Sequence, residues 1–175
     1  TTIQARAFAG RYRFVGDYVA DYPPPTLNRD IDSTFWWGAE TRATFVRAGH
    51  RVAAGIELQV VPSLLQQNFD IEPAAASYLD DRHDNWRAAV YAEDQWTLDP
   101  HWTVHIGARI DRVARQQTEL SPRIAIVWAA NERTTLKLIH GSAFRPPNAY
   151  EAYYEIDVPA GYVRNPGLES ERVSG

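Results

Sequence analysis

The most constraining feature of the sequence is an alternation of apolar and polar residues that recurs in segments about ten residues long. In residues 51–60, every second side chain is apolar, and the positions between them carry polar or small residues. Successive side chains of a β-strand point to opposite faces of a sheet, so this period of two predicts a strand with one apolar and one polar face. The apolar positions are Val52, Ala54, Ile56, Leu58 and Val60.

The same alternation appears along most of the chain. Residues 86–96 and 102–111 repeat it clearly, although Asp94 interrupts the apolar face of the first of these segments. Further segments, including a weaker one at the start, bring the count to seven strands and the beginning of an eighth; they are residues 3–14, 35–45, 123–128, 135–138 and, for the eighth, 168–175. The pattern predicts an all-β fold.

The connections between these segments have a rhythm of their own. Short links that hold Gly, Pro, Asn or Asp occur at 47–50, 99–101 and 130–133, and such residues favour tight turns. Long links are predicted at 17–33, 62–85 and 145–168, with a shorter one on the same side at 113–117. Consecutive antiparallel strands with short turns at one end and long loops at the other form an up-and-down meander, which is typical of outer-membrane β-barrels.

No helix of this chain is expected to cross a membrane. The longest uninterrupted apolar run is residues 124–130, seven residues against the roughly 20 that a spanning helix needs. The tryptophans instead fit a wall of strands, because barrels carry aromatic girdles at both membrane interfaces. Trp86 and Trp96 bracket one apolar face, and Trp102 and Trp128 lie beside short turns.

A soluble β-sandwich is the alternative interpretation, because its strands alternate in the same way. Two observations weigh against it. Charges lie in the middle of the predicted strands, as a wet lumen would allow, and many apolar positions hold alanine, which fills a sandwich core poorly. The mid-strand charges are Glu57, Glu93, Arg109 and Lys137.

Composition excludes several function classes. The 18 Lys and Arg against 22 Asp and Glu leave a formal charge of −4, which does not suit a basic nucleic-acid-binding domain. The absence of Cys excludes thiolate catalysis, and the sequence has neither a G-x-S-x-G elbow nor a glycine-rich phosphate loop. The sequence therefore predicts no enzymatic activity and no cofactor.

Two groups of residues were weighed as metal ligands. The acidic run at 80–84 contains His83 and could be imagined as a metal site, but it is better explained as the solvated tip of a loop. His101 and His105 are four residues apart, which in a strand separates them by about 13 Å. No metal site is predicted.

Three motifs in the last third of the chain occur in a set order. The first is Ser121-Pro122-Arg123, the second runs from Gly141 to Glu151 as G-S-A-F-R-P-P-N-A-Y-E, and the third is N-P-G-L-E-S-E at 165–171. This order resembles the barrel of TonB-dependent outer-membrane receptors. The resemblance is strong over about residues 85–172, and within the family it is most similar to receptors for ferric catecholate siderophores and colicins, with the vitamin B12 branch a near relative.

The resemblance implies a 22-stranded barrel with a plug domain inside it, importing a scarce ligand with energy supplied through TonB. A wall of 22 strands would need roughly 480 residues. We therefore expect residues 1–175 to be part of the barrel domain, without the plug, the TonB-box segment or the closing strand, in the outer membrane of a Gram-negative bacterium. The implied partners are a ferric siderophore or similar metal complex, TonB, the plug and outer-membrane lipid, with no nucleic acid.

Candidate ligand-binding residues follow from the same resemblance. Arg145 would meet an anionic ferric siderophore or a carboxylate of the plug, although it equally suits a wall position where two prolines end the strand. Tyrosine rings are predicted to contact catecholate or hydroxamate groups, or else only to pack the rim; they are Tyr150, Tyr153, Tyr154, Tyr18 and Tyr22. Further candidates in the predicted long loops are Gln66, Gln67, Phe69 and Tyr78.

Two other assignments remain open from the sequence. A chain of this length could form a complete eight-stranded barrel with a structural or adhesion role, provided that its first and last strands pair. It could also form a soluble all-β binding domain.

Overall fold

The computed structural model describes residues 1–21, 23–158 and 161–175. They form an eight-stranded antiparallel sheet in which the strands follow one another in chain order. The strands are β1 (Thr2–Ala20), β2 (Thr26–Arg47), β3 (His50–Glu72), β4 (Ala76–Thr97), β5 (Trp102–Val113), β6 (Thr118–Asn131), β7 (Thr134–Arg145) and β8 (Glu171–Ser174), with one short helix, α1 (Ala149–Tyr153), between β7 and β8. The up-and-down meander and the eight strand positions predicted from the alternation are confirmed.

The sheet is open. Among the described residues, β1 pairs only with β2, and β8 pairs only with β7. A closed eight-stranded barrel requires these two edges to pair, because lipid does not tolerate an open sheet edge. The interpretation as a complete small barrel is therefore wrong for this structure.

The short turns fall where the sequence predicted them. Strands β2 and β3 are joined by Ala48 and Gly49, whose φ angles of 50° and 83° give the left-handed two-residue turn that suits a twisted hairpin. Residues 98–101 and 132–133 make the other two turns at this end of the sheet.

The prediction of long loops at 17–33 and 62–85 is wrong. Both segments are paired strand: β1 continues to Ala20 and β2 begins at Thr26, while β3 continues to Glu72 and β4 begins at Ala76. The alternation fades there because both faces of the sheet carry polar residues, not because the strands end. Only the link after β7, residues 146–170, is long, as expected.

Strands β2, β3 and β4 are consequently much taller than β5, β6 and β7. Strands of 22 or 23 residues extend about 75 Å, against about 40 Å for strands of 12. We call the part of the sheet between the short turns and the level of Trp37 and Trp86 the lower wall. The parts of β1–β4 beyond that level are the upper hairpins.

The outer face of the lower wall is apolar across its full width. The register places Ile56 opposite Val90, Val90 opposite Ile110 and Ile110 opposite Leu120. Ile56 is 62% exposed and Leu120 60%, which in water would leave a large uncovered apolar surface. The height of a barrel's apolar band, about 25 Å, matches the span of these alternating segments.

Aromatic side chains lie at both edges of this band. Near the short turns, the rings of Trp102 and Trp128 stack at 5.5 Å, and Trp96 stacks on His50 at 5.1 Å. Trp37 and Trp86 lie at the opposite edge, also on the outer face. The two girdles predicted from tryptophan spacing are present, and Asp94, which interrupts the apolar face, is bound by His50 Nδ1 at 2.6 Å.

No helix among the described residues is long and apolar enough to span a membrane.

Candidate functional site

The link between β7 and β8 folds back over the inner face of the upper hairpins. Asn148 caps α1: its side chain accepts a hydrogen bond from the Glu151 N–H, while the Glu151 carboxylate accepts one from the Asn148 N–H. Beyond the cap, Ala152 and Tyr154 are buried, at 7% and 6% exposed. The capping box fixes where the helix begins, and the two buried side chains hold it against the sheet.

Two tyrosines attach this segment to the hairpins. The Tyr154 hydroxyl donates a hydrogen bond of 2.7 Å to Asp30 Oδ1 on β2. The ring of Tyr153 stacks on His83 of β4 at 3.9 Å, and His83 Nε2 lies 2.7 Å from Asp81 Oδ2. The segment thus bridges β2 and β4 across the inner face.

Beneath Tyr154 lies a network of amides and carboxylates on the inner face of β2 and β3, which we call the mouth cluster. Asn68 donates to Asp30 Oδ1 at 2.7 Å and to Asn28 Oδ1 at 2.8 Å, while Asn28 donates to Asp70 Oδ1 at 2.9 Å. Gln66, Asn68 and Asp70 are buried, although they lie where the sequence predicted solvent-exposed loops. The mouth cluster consists of Asn28, Asp30, Asp32, Gln66, Asn68 and Asp70.

Burial controls the ionisation of this region. Loss of solvent raises the pKa of Asp32 above 3.8, and a hydrogen bond from Gln66 opposes the increase in part. Burial, followed by the hydrogen bond to Asp30, raises the pKa of Tyr154 far above its ordinary value of 10, so this phenol remains a donor at physiological pH. The Gln66 Oε1 atom is buried without a hydrogen-bond partner among the described residues.

The tyrosines predicted as ligand contacts lie together in part. Tyr150 stacks on Tyr154 at 4.4 Å, and the ring of Tyr162 meets each of them edge-on at 5.7 Å. Burial and a hydrogen bond with Tyr162 raise the pKa of Tyr150 to about 12. We call these three rings the tyrosine cluster; sequence reasoning missed Tyr162, which no motif distinguishes.

The other predicted tyrosines occupy different positions. Tyr18 is on β1, where its side chain is 52% exposed, close enough to Tyr150 to affect its pKa. Tyr153 is separated from the tyrosine cluster by its contact with His83. Tyr22 lies outside the described residues. Tyr78, Gln66, Gln67 and Phe69 are all on strands, with the Tyr78 hydroxyl donating to Asp70 at 2.6 Å.

Arg145, the last residue of β7, binds two carboxylates at once. Its guanidinium donates to both oxygens of Glu151 at 3.0 Å and to both oxygens of Glu171 at 2.8 and 3.1 Å. This geometry fastens the start of α1 and the start of β8 to the end of β7, and it occupies the planar donor edges that would otherwise meet an anion.

The acidic run at 80–84 is not a loop tip, and this expectation is wrong. It lies within β4, where Asp81 binds His83 and Asp84 binds Arg115 at 3.0 Å. The Arg115 pair lowers the pKa of Asp84. No group of three or more His, Asp or Glu in the described part of the chain is arranged to hold a metal ion.

Lower on the inner face, charged residues pair across neighbouring strands. Arg109 binds Glu57 and Asp111, each at 2.9 Å, and Arg42 binds Glu93 at 2.8 Å. These are the mid-strand charges that the sequence predicted to face a wet lumen. Below and between them the face opens into a recess of about 680 Å³ that spans β2 to β7.

The chain was compared with known proteins. A family model described as "TonB dependent receptor-like, beta-barrel" matches residues 2–175. No curated protein sequence matches the chain.

Three solved structures share its fold. The copper transporter OprC aligns with a TM-score of 0.77 at 13% identity, over 98% of this chain and 31% of that one. The RagAB peptide transporter aligns with a TM-score of 0.55 at 11% identity, over 98% and 25%. A mutant ferric enterobactin receptor, PfeA, from Pseudomonas aeruginosa aligns with a TM-score of 0.50 at 16% identity, over 85% and 31%. This chain therefore spans about a third or less of the length of each of these proteins.

Proposed function

The chain belongs to the family of TonB-dependent receptor-like β-barrels, and from that premise we propose that the protein containing it imports a ferric siderophore across the outer membrane. Members of this family lie in the outer membrane of Gram-negative bacteria, and the lower wall is the part of this chain that lies in the lipid. In the proposed mechanism, the mouth of the wall captures the ligand, a plug domain senses it, and TonB supplies the energy that opens a path. This chain contributes to the first of these steps.

The observation that carries the proposal is the tyrosine cluster above the mouth cluster. Tyr150 and Tyr162 are 47% and 55% exposed, so their rings offer surface to a ligand that arrives from outside. Aromatic rings contribute large contact areas with little loss of side-chain entropy, and their hydroxyls add hydrogen bonds to the polar groups of a chelate. Siderophores combine planar rings or hydroxamates with many oxygens, which suits such a surface.

The capture step depends on the placement of α1. Because Arg145 binds Glu151 and Tyr154 binds Asp30, the segment that carries the tyrosines is held at both ends. We therefore assign Arg145 a positioning role in ligand capture. In this role it acts through Glu151 and Glu171 and does not touch the ligand.

Uptake measurements test the proposal. Deletion of the gene that encodes this chain is expected to reduce uptake of a ⁵⁵Fe-labelled siderophore, and restoration with Tyr150→Ala is expected to recover less uptake than restoration with the unaltered gene. Tyr12→Ala, a matched tyrosine on β1 with similar exposure, is the control. Unchanged uptake of every ferric siderophore after deletion would overturn the proposal.

A second candidate is the import of vitamin B12 or another metal complex. The mouth cluster favours it, because Asp30, Asp32 and Asp70 make that surface acidic and better suited to a neutral or cationic complex than to a trianionic one. The same deletion strain distinguishes the candidates: loss of cobalamin uptake, or of uptake of a cationic metal complex, with siderophore uptake unchanged, would favour this second function.

A further inference from the structure

The inner face of the lower wall carries positive charge that its own residues do not neutralise. Each carboxylate on this face is already paired with an arginine, as are Glu57 with Arg109 and Glu93 with Arg42; the others so paired are Glu40, Asp111 and Glu119. In contrast, Arg51, Arg123 and Lys137 form no ion pair with any residue that the structure describes. All three line the recess of about 680 Å³.

Small residues make the floor of this recess, so that the charged side chains stand around it. The β4–β5 register and the β5–β6 register place Gly107 between Glu93 and Arg123, and Ala53 and Ala125 are buried beneath their neighbours. At Gly55, a Cβ atom would lie 2.5 Å from the Tyr91 ring, so glycine is needed for that ring to lie flat on the sheet. The recess is thus a built concavity, which we call the basic recess.

The size and composition of the basic recess indicate its occupant. Arg51 is on β3 and Lys137 on β7, four strand spacings or about 19 Å apart along the sheet. A single small anion cannot reach both. The side chain of Ile139, 51% exposed, also lines the recess, and a water-filled path would not favour an exposed isoleucine there. Polypeptide surfaces combine apolar patches with charged rims in this way.

We propose that the basic recess is the docking surface for an acidic polypeptide segment that fills the lumen and places carboxylates against Arg51, Arg123 and Lys137 around an apolar contact with Ile139. The inference deepens the proposed function in one respect, since it rests on this wall enclosing a lumen. Its specific content is that the lumen-filling segment is held electrostatically at the level of the basic recess. At the acidic mouth cluster, like charges would repel such a segment.

Thiol labelling in the full-length receptor tests this. The chain contains no Cys, so Ser121→Cys places a single reporter thiol on β6 among the residues that line the recess. We expect maleimide labelling of this thiol, located by mass spectrometry, to be slow in 0.1 M NaCl and at least about tenfold faster in 1 M NaCl, because salt screens exposed ion pairs.

Substitution provides a second arm. In the Ser121→Cys background, Arg51→Gln, Arg123→Gln and Lys137→Gln together should give the fast labelling already at 0.1 M NaCl and should remove most of the salt dependence. The matched control replaces Arg11, Arg47 and Arg133 by Gln; these do not line the recess, and labelling should stay slow. The salt arm requires no substitution of a cation, so it remains decisive if the triple variant fails to assemble.

Two results would overturn the inference. Fast labelling at low salt in the otherwise unaltered receptor would mean that no polypeptide covers the recess, and acceleration of the thiol's protection by citrate alone would assign the recess to small anions. Slow labelling that neither salt nor the triple substitution changes would mean that the cover is not held by these charges. Siderophore uptake is measured separately: a receptor that imports no siderophore but protects the thiol loses the proposed function and retains this docking surface.

Discussion

The lower wall and the upper hairpins are parts of the same hydrogen-bonded strands, yet their outer faces differ. In the lower wall the outward residues of β3 and β4 are apolar, such as Ile56 and Val90. In the upper hairpins the outward residues include the pair Asp17 and Arg29, whose Nε–Oδ1 distance is 2.6 Å, and Gln67, which donates to Asp80 at 3.0 Å. The backbone pairing is continuous, so the change of solvent from lipid to water is expressed only in the side chains.

This difference explains why the two parts are stabilised differently. The lower wall needs a lipid environment to cover its outer face, whereas the upper hairpins rely on backbone pairing, on the mouth cluster and on the helix segment packed against their inner face. Substitutions at matched outward positions, and at the contacts of that segment, should therefore have effects that depend on height in the sheet.

A charge on the outer face should have the largest effect, and only in the lower wall. We expect Ile56→Arg to lower the free energy of unfolding of the full-length receptor in phospholipid vesicles by about 2–4 kcal/mol, because it places a guanidinium near the middle of the apolar band. Val15→Arg, at an outward position of the upper hairpins that is 45% exposed, should change it by less than about 1 kcal/mol. Denaturant titration of both variants measures this, and equal losses would remove the distinction between the two regions.

Release of the helix segment should have the next largest effect. Tyr154→Phe removes the donor to Asp30 while retaining the ring, and we expect the docking of α1 to weaken by about 1–2 kcal/mol. Hydrogen exchange at the amides of Ala152 and Tyr154 should accelerate about tenfold or more.

Tyr12→Phe is the matched control for that substitution. It removes a hydroxyl from β1 at a site that is 52% exposed, away from the bridge between Tyr154 and Asp30. If both variants leave exchange in α1 unchanged, the hydroxyl of Tyr154 does not hold the segment.

A smaller effect, with a defined pH dependence, is expected at Asp32 in the mouth cluster. Because burial raises its folded-state pKa above the ordinary 3.8, the folded protein binds a proton more readily than the unfolded chain does. The associated stability is fully present below pH 3.8 and is lost as the pH rises through the folded-state pKa. Asp32→Asn should therefore stabilise the upper hairpins at pH 7, on the order of 1 kcal/mol or less, and should have no such effect below pH 3.8.

Exchange protection of the upper hairpin amides at the two pH values measures the Asp32 effect. Stabilisation that persists unchanged below pH 3.8 would show that the amide acts through packing and not through the ionisation of Asp32.

The smallest effect is expected at Asp17, and its pH dependence should have the opposite sign. The hydrogen bond from Arg29 holds the pKa of Asp17 below 3.8, so the stability it contributes is present above pH 3.8 and is lost as the pH falls through the folded-state value. The pair is exposed, so Asp17→Asn should lower the protection of the β1–β2 amides only slightly at pH 7, and 1 M NaCl should abolish the difference.

Asp21→Asn in the adjoining connection is the control for Asp17, because Asp21 forms no ion pair with the described residues. Equal effects of the two substitutions would indicate general charge repulsion and not the pair with Arg29.

The sequence was sufficient to predict the strands wherever one face met an apolar phase. Residues 51–60 and 102–111 alternate because the outer side chains contact lipid while the inner ones contact polar groups, and both segments are strands in the structure. The turn at Ala48 and Gly49 was equally predictable, since few residues adopt the backbone angles it needs.

The upper hairpins could not be recognised in the same way. Residues 62–72 and 76–85 place polar side chains on both faces, so neither a period of two nor an apolar run marks them, and their prolines and acidic residues resemble loop composition. Their strand character follows from partners far away in the chain, such as Asn68, whose side chain binds Asn28 and Asp30.

The candidate site divides along the same line. Tyr150 and Tyr154 were predicted from their place beside a family motif, but the contacts that define the site were not. Tyr154 binds Asp30, 124 positions earlier in the chain, and no local pattern indicates such a pair. Likewise, Arg145 was identified as a candidate, while its engagement by Glu151 and Glu171 required the positions of α1 and β8.

By itself, the sequence determined that this chain is an antiparallel membrane wall and which of its faces meets lipid, because solvent contact selects side chains at every second residue of a strand. Only the tertiary structure decided how far the strands rise above the membrane, which polar residues meet at the mouth, and which cations of the inner face remain unpaired. Those properties depend on pairings between distant segments, and hydrogen bonds between polar side chains leave no periodic trace along the chain.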